Sequence, residues 1–139
     1  MRVHPWRAVP ASVIIAHDDS EFVDTTVTAL RLAGLDVLGF ASSMSALEAL
    51  EAAQRIEVLI TRVRFPEGQH NGISLALMAR MKRPAIKVLF VAARDTQEHT
   101  EGVGQFLPAL ATASEIAETV VKMLVKPVTS TGRGPTVTQ

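Results

Sequence analysis

The sequence predicts an α/β domain organised on a five-stranded, doubly wound parallel sheet. Three observations lead there. Short apolar runs of strand length alternate with helix-patterned segments along the whole chain. The runs are nearly continuous in apolar residues rather than alternating with polar ones, as in Ser12–Ala16 and Lys87–Ala92, which is how strands buried on both faces read. Polar clusters close the main runs at their carboxyl ends, the edge where open α/β sheets gather ligand-binding groups.

With 139 residues the chain is about one domain, large enough to bury roughly two thirds of its unfolded surface without a staple. It contains no cysteine, which excludes a disulfide framework and a thiolate zinc site. Fourteen basic residues balance 14 acidic ones and neither sign forms a long block, so nothing announces a nucleic-acid partner. The longest apolar runs fall far short of the roughly 20 residues of a membrane helix. The amino terminus lacks the apolar centre of a signal peptide. The expectation is a soluble cytoplasmic protein with no membrane contact.

Residues 1–11, with Pro5, Pro10 and the only tryptophan, read as an extended lead from which Trp6 can dock on the domain. The domain itself spans 12–125. Strand one, Ser12–Ala16, ends in His17, Asp18, Asp19 and Ser20. Ser20 is the expected N-cap of the first helix, with Glu21 and Asp24 in its first turn. Phe22, Val23, Val27, Leu30 and Ala33 recur at helical spacing, and Gly34 closes the helix. Residues 37–41 give a second strand weakened by Gly39. Ser42 or Ser43 caps a second helix whose apolar face is Ala46, Leu47, Leu50 and Ala53.

The third strand lies in the stretch 56–66, where Val58, Leu59 and Ile60 stop abruptly at Thr61, Arg62 and a proline. Turn chemistry fills 66–72. A third helix over 73–81 is stopped by Pro84. Lys87–Ala92 is strand four. Residues 93–104 are too polar for more than one or two helical turns, so the fourth helix is expected to be short or a loop. Gln105–Pro108 forms strand five. Thr112 with Glu115 makes a capping box for a last helix with Ile116, Val120, Val121 and Leu124 inward. Residues 126–139, rich in Pro, Gly, Ser and Thr, read as a flexible tail.

This order of elements, the acidic cluster after strand one, the string Leu-Ile-Thr-Arg-Val-Arg-Phe-Pro and the Phe-Leu-Pro before the last helix resemble a response-regulator receiver domain of the two-component systems. The resemblance covers 12–125. It implies a flavodoxin-like sheet of order 2-1-3-4-5 and a place in phosphorelay signalling. In that family an aspartate ending strand three accepts phosphate from a histidine kinase. Two acidic residues after strand one help it hold Mg²⁺, a Thr or Ser ends strand four, and a Lys follows strand five. Phosphoryl transfer needs those cations to neutralise the developing charge on the phosphoryl oxygens.

Matched to that pattern, nearly every working position is replaced, and of the five only Asp18 keeps its family character. Arg62 stands at the phosphoacceptor place, His17 and Asp18 on the acidic pair with Asp19 beside them, Ala92 at the hydroxyl position and Ala109 at the lysine position. Phe106 matches the aromatic whose rotamer reports phosphorylation in the family. Asn71 and Gly72 resemble the Asp-Gly that follows strand three. The resemblance is therefore to a degenerate, pseudo-receiver form, in which no catalytic residue, no cofactor and no tightly held Mg²⁺ are expected.

Two readings of Arg62 follow. It can act as a fixed counter-ion for Asp18 or Asp19, supplying without metal the positive charge that Mg²⁺ supplies in the family. Or it can point to solvent from a site that has lost its chemistry. Other residues carry weaker signals. His17, Asp18 and Asp19 could ligate a transition metal, but a neighbouring guanidinium repels a cation. His70 and His99 fall on expected loops and read as solvated, and Asp95, Glu98 and Glu101 read as a solvated acidic edge. Met78, Met81 and Met123 read as helix core filler. Gly102 and Gly104 lack the setting of a nucleotide loop.

The leading expectation is a stand-alone, non-enzymatic interaction module whose partner is a histidine kinase, another receiver or a second copy. Its candidate surface is the last helix with strand five, which is also the expected homodimer face. The alternatives are a receiver using a non-standard acceptor, for which Glu57 and Glu67 are the acids nearest in sequence, and a small-anion sensor using Arg62 and Arg64.

Overall fold

The computed structural model describes residues 12–52, 55–66 and 70–125. The expected lead, the tail, Ala53 and Glu67 lie outside the described residues. Five parallel strands form one sheet in the order β2-β1-β3-β4-β5, with β1 at Ser12–Ala16, β2 at Asp36–Phe40, β3 at Val58–Thr61, β4 at Lys87–Ala92 and β5 at Gln105–Pro108. Between them run α1 (Ser20–Leu32), α2 (Ser43–Ala52), α3 (Gly72–Lys82), α4 (Gln97–Thr100) and, last, α5 (Ala113–Val125). The expected strand order and the shortened fourth helix are both present.

Strand alternation divides the core. Val13, Ile15, Val37, Val58, Ile60, Leu89 and Val91 face one way, towards α1 and α5, and pack on Leu30, Ile116, Val120 and Met123. Ile14, Ala16, Leu59, Val88 and Phe90 face the other way, onto Leu50, Leu75, Ala76 and Ala79 of α2 and α3. The three central strands are buried on both faces, so their sequences show no polar alternation. Gly39 on β2 lets α1 approach, since a Cβ there would meet the Val23 side chain at 2.5 Å.

Helix ends follow their residue chemistry with one correction. The cap of α1 is Asp19, not Ser20: its carboxylate accepts from the Glu21 and Phe22 amides at 3.0 and 3.3 Å. Either residue has the chemistry of an N-cap, and the strand-to-helix turn places Asp19 at the non-helical position. At the other end the amides of Gly34 and Leu35 bond the carbonyls of Arg31 and Leu30, with Gly34 at φ 90°, a Schellman closure that brings apolar Leu35 over Leu30.

Ser42 caps α2 through the Ser45 amide and Asn71 caps α3 through the Ser74 amide. Thr112 and Glu115 exchange both bonds of the capping box at 2.8 and 3.0 Å. The inward face of α5 also takes in Ala117 and Met123.

Two methionine and histidine placements differ from expectation. Met81 is exposed, because α3 packs through Leu75, Ala76 and Ala79 and leaves its last turn outside. His99 sits on α4 rather than in a loop. That single turn forms because buried Thr96 and Thr100 return their hydroxyls to the carbonyls of Ala93 and Gln97.

Candidate functional site

Register places the site at the carboxyl edge of the sheet. Ala16, Thr61, Phe90 and Phe106 lie in one line across β1, β3, β4 and β5. The residues that follow them, His17 with Asp18, Arg62, Ala92 and Ala109, therefore share that edge. The backbone of Arg62 is held from two sides. Its amide extends the β1 ladder to the Ala16 carbonyl, and Gly72 packs so tightly that a Cβ there would stand 1.7 Å from the Arg62 carbonyl oxygen. Gly72 also donates to the Val63 carbonyl at 2.7 Å. The glycine thus presses the strand-three end into place, a role that its match to the Asp-Gly pattern did not disclose.

From this position the Arg62 guanidinium reaches across to β1, and its Nη1 bonds Asp18 Oδ1. About a third of each side chain remains exposed, 33% for Arg62 and 30% for Asp18, so the pair lines a cleft rather than a sealed core. The Arg62 Nε is buried and has no hydrogen-bond partner among the described residues. Asp19 does not share the pair, because its carboxylate is committed to the cap of α1. Desolvation alone would raise the Asp18 carboxyl. The hydrogen bond from Arg62, the backbone amide and the Arg62 charge outweigh it and hold that carboxyl below the usual range.

His17 is nearly enclosed. Its ring stacks on Phe22 with centroids 4.2 Å apart, and its Nδ1 accepts from the Asp19 amide at 3.1 Å. An accepting Nδ1 assigns the proton of the neutral ring to Nε2. Burial first, and then the charge of Arg62, push the imidazole below its ordinary value against the opposing pull of Asp18 and Asp19. His17 is therefore held as a neutral wall between Phe22 and the ion pair. Nothing in the sequence pattern disclosed the stacking.

At the far side of the cleft the Ala109 amide donates to the Ala92 carbonyl at 2.9 Å, and two methyl groups stand there. Phe106 is partly buried against the core cluster that contains Phe90. Arg64 points to Asp95 at 3.5 Å in an exposed pair, so the two arginines of the proposed anion site each face a carboxylate. Glu57 lies before β3 at the opposite edge of the sheet, bonded to Arg55 at 2.9 Å, which rules it out as a stand-in acceptor at this site. His70 is exposed, as are Glu98, Glu101 and Asp95.

No protein-family model matches the sequence, and no curated protein matches it. Solved structures do. The receiver domain of the hybrid histidine kinase CckA is 26% identical, with a TM-score of 0.69 over 82% of this chain and 99% of that one. A response regulator receiver protein from Sinorhizobium medicae gives a TM-score of 0.74 at 20% identity, covering 84% and 95% of the two chains. A CheY-like receiver domain from Methanospirillum hungatei gives 0.73 at 18% identity, covering 82% and 93%. The fold is that of a response-regulator receiver domain.

A receiver fold raises the question of Mg²⁺, and the donor set here does not suit it. Mg²⁺ requires near-octahedral oxygen ligation. The cleft offers one inward carboxylate, Asp18, already bonded to a guanidinium, while Asp19 is turned away into its cap. No group of three or more His, Cys, Asp or Glu side chains among the described residues is placed to hold a metal. No helix among the described residues is long and apolar enough to cross a membrane.

Proposed function

We propose that this chain is a signalling module of receiver fold that works by protein contact and takes no part in aspartyl phosphotransfer. The observation that carries the reading is the Arg62 to Asp18 ion pair at the carboxyl edge of the sheet. A guanidinium has no lone pair to offer a phosphoryl group, and its charge stands where a divalent ion would otherwise balance the carboxylate. With alanines at 92 and 109, a phosphoryl group would also lack the hydroxyl and ammonium partners that its oxygens need.

In this reading the pair holds the cleft in a single arrangement. The domain then presents one constant surface to a kinase, another receiver or a second copy in two-component signalling. The shallow groove between β5 and α5, where Leu107, Ala111 and Glu118 surround a 94% exposed Leu110, supports the assignment of that face as the contact surface. Arg64, facing Asp95, gives the anion-sensor alternative no free cation to build on.

Incubation with acetyl phosphate and Mg²⁺, read by intact mass, tests the proposal. The expected result is an unchanged mass; a gain of one phosphoryl group overturns it. Arg62→Asp alone is expected to leave the mass unchanged as well, since the partners of the phosphoryl oxygens would still be missing.

A further inference from the structure

Two surface features at opposite ends of β5 are complementary. At its amino end a groove of about 590 Å³ opens between the first residues of β4 and β5 and the end of α5, floored by Ile86, Val88, Val103 and Met123. Arg80 and Lys87 also line it, with no carboxylate beside them among the described residues. Past the carboxyl end Leu110 stands 94% exposed, the most exposed large apolar side chain of the described residues. Glu115 and Glu118 line the surface around it, and no cation among the described residues does. Apolar surface left uncovered in this way marks a contact site.

Charge elsewhere follows the same polarity. The chain is neutral overall, yet the last turns of α1, α3 and α5 carry Arg31, Arg80, Lys82 and Lys122, while the first turns of α1 and α5 carry Glu21 and Glu115. Those helices cross back between parallel strands, so these cations gather at the amino edge of the sheet and these carboxylates at the carboxyl edge.

We propose that a second copy of this chain is the partner, with Leu110 of one copy seated in the amino-edge groove of the next and Glu118 brought to Arg80 and Lys87. Glu115 keeps its bond to the Thr112 amide in the capping box, which leaves Glu118 as the carboxylate for the contact. Arg80 is held by its bond to the Val103 carbonyl at 2.7 Å, so its charge is already fixed at the groove. Leu110 cannot fill its own groove, because the length of β5, roughly 13 Å of extended chain, stands between them. Knob and groove are different surfaces at opposite ends of the molecule. The contact is therefore head to tail, and each copy that docks leaves its own groove open for another. The inference rests on the β5–α5 face being the contact surface of the proposed function, and it names what that face meets.

Sedimentation velocity of the full chain over a concentration series tests it. The average mass is expected to rise continuously with concentration and to pass that of a dimer. Leu110→Lys, which removes the knob, and Ala85→Glu, an exposed substitution on the groove wall, are each expected to give monomers. An equimolar mixture of the two is expected to form a dimer and stop there, because the knob of one variant still fits the groove of the other. A monomer at every concentration overturns the stacking. So does a plateau at the dimer, assembly retained by either variant, or a mixture that stays monomeric. Should either variant fail to fold, Glu118→Lys, an exposed charge reversal, is expected to weaken association several-fold, and undiminished association overturns the contact. The two proposals fail separately: a monomer that acetyl phosphate leaves unchanged loses only the stacking, and a chain that stacks yet gains a phosphoryl group loses only the refusal of phosphate.

Discussion

Single polar side chains in this fold stabilise it when they meet a partner and cost it when they do not. Arg62 and Asp18 meet across 44 positions of sequence, and each is shaped by the other. Thr26 is the opposite case. It is fully buried on α1, and its hydroxyl finds no hydrogen-bond partner among the described residues. An unsatisfied buried hydroxyl is a net cost, so Thr26→Val should raise stability by about 1 kcal/mol, read as a higher urea midpoint at unchanged slope.

Residue type was sufficient to single out Arg62 in the sequence, because a charged side chain interrupts an apolar strand there. It was not sufficient to decide between Asp18 and Asp19. Both are aspartates beside a strand end, and only the turn geometry commits Asp19 to the helix amides. His17 shows the same limit. Its stacking on Phe22 depends on the path of the chain between strand and helix, which no periodicity encodes.

At the scale of elements the strands were readable because burial on both faces leaves long apolar runs with sharp polar ends. Lys87–Ala92 and Gln105–Pro108 match their expected bounds. The fourth helix was readable only as a deficit of apolar residues, and one turn forms there because Thr96 and Thr100 close their own carbonyls. Met81 escaped the reading because helical position alone does not say which face a short helix buries. The junction of β3 with α3 carries the strongest element-level prediction. Gly72→Ala would force its new methyl into the Arg62 carbonyl and must move the strand end. It should cost about 1 to 3 kcal/mol in denaturant unfolding. It should also shift the Arg62 side-chain resonance, whereas a tolerant site would show neither change.

At the scale of the whole molecule, two protonation equilibria tie the site to global stability. The folded state holds His17 below its ordinary 6.5, so the unfolded chain binds the proton first as pH falls. Stability is then complete above about 6.5 and declines below it. The carboxyl of Asp18 is also depressed, so its contribution is present above its ordinary 3.8 and is lost only as pH falls through its lower folded value. Thermal midpoints should drop between pH 7 and 5, and His17→Phe should flatten that segment while leaving the acid limb in place.

The receiver topology was legible from end to end, whereas the state of its cleft was not, because a fold can keep every strand while replacing the groups that did its chemistry. In the proposed reading one ion pair, Arg62 with Asp18, holds that cleft. A double-mutant cycle on the unfolding of the whole domain, with Arg62→Ala, Asp18→Ala and both together, measures it most directly. For a pair about one third exposed, the predicted coupling is about 1 to 2 kcal/mol, between surface and buried pairs, and it should persist in moderate salt. A coupling of zero, with the two single substitutions simply adding, would show that the pair does not hold the cleft.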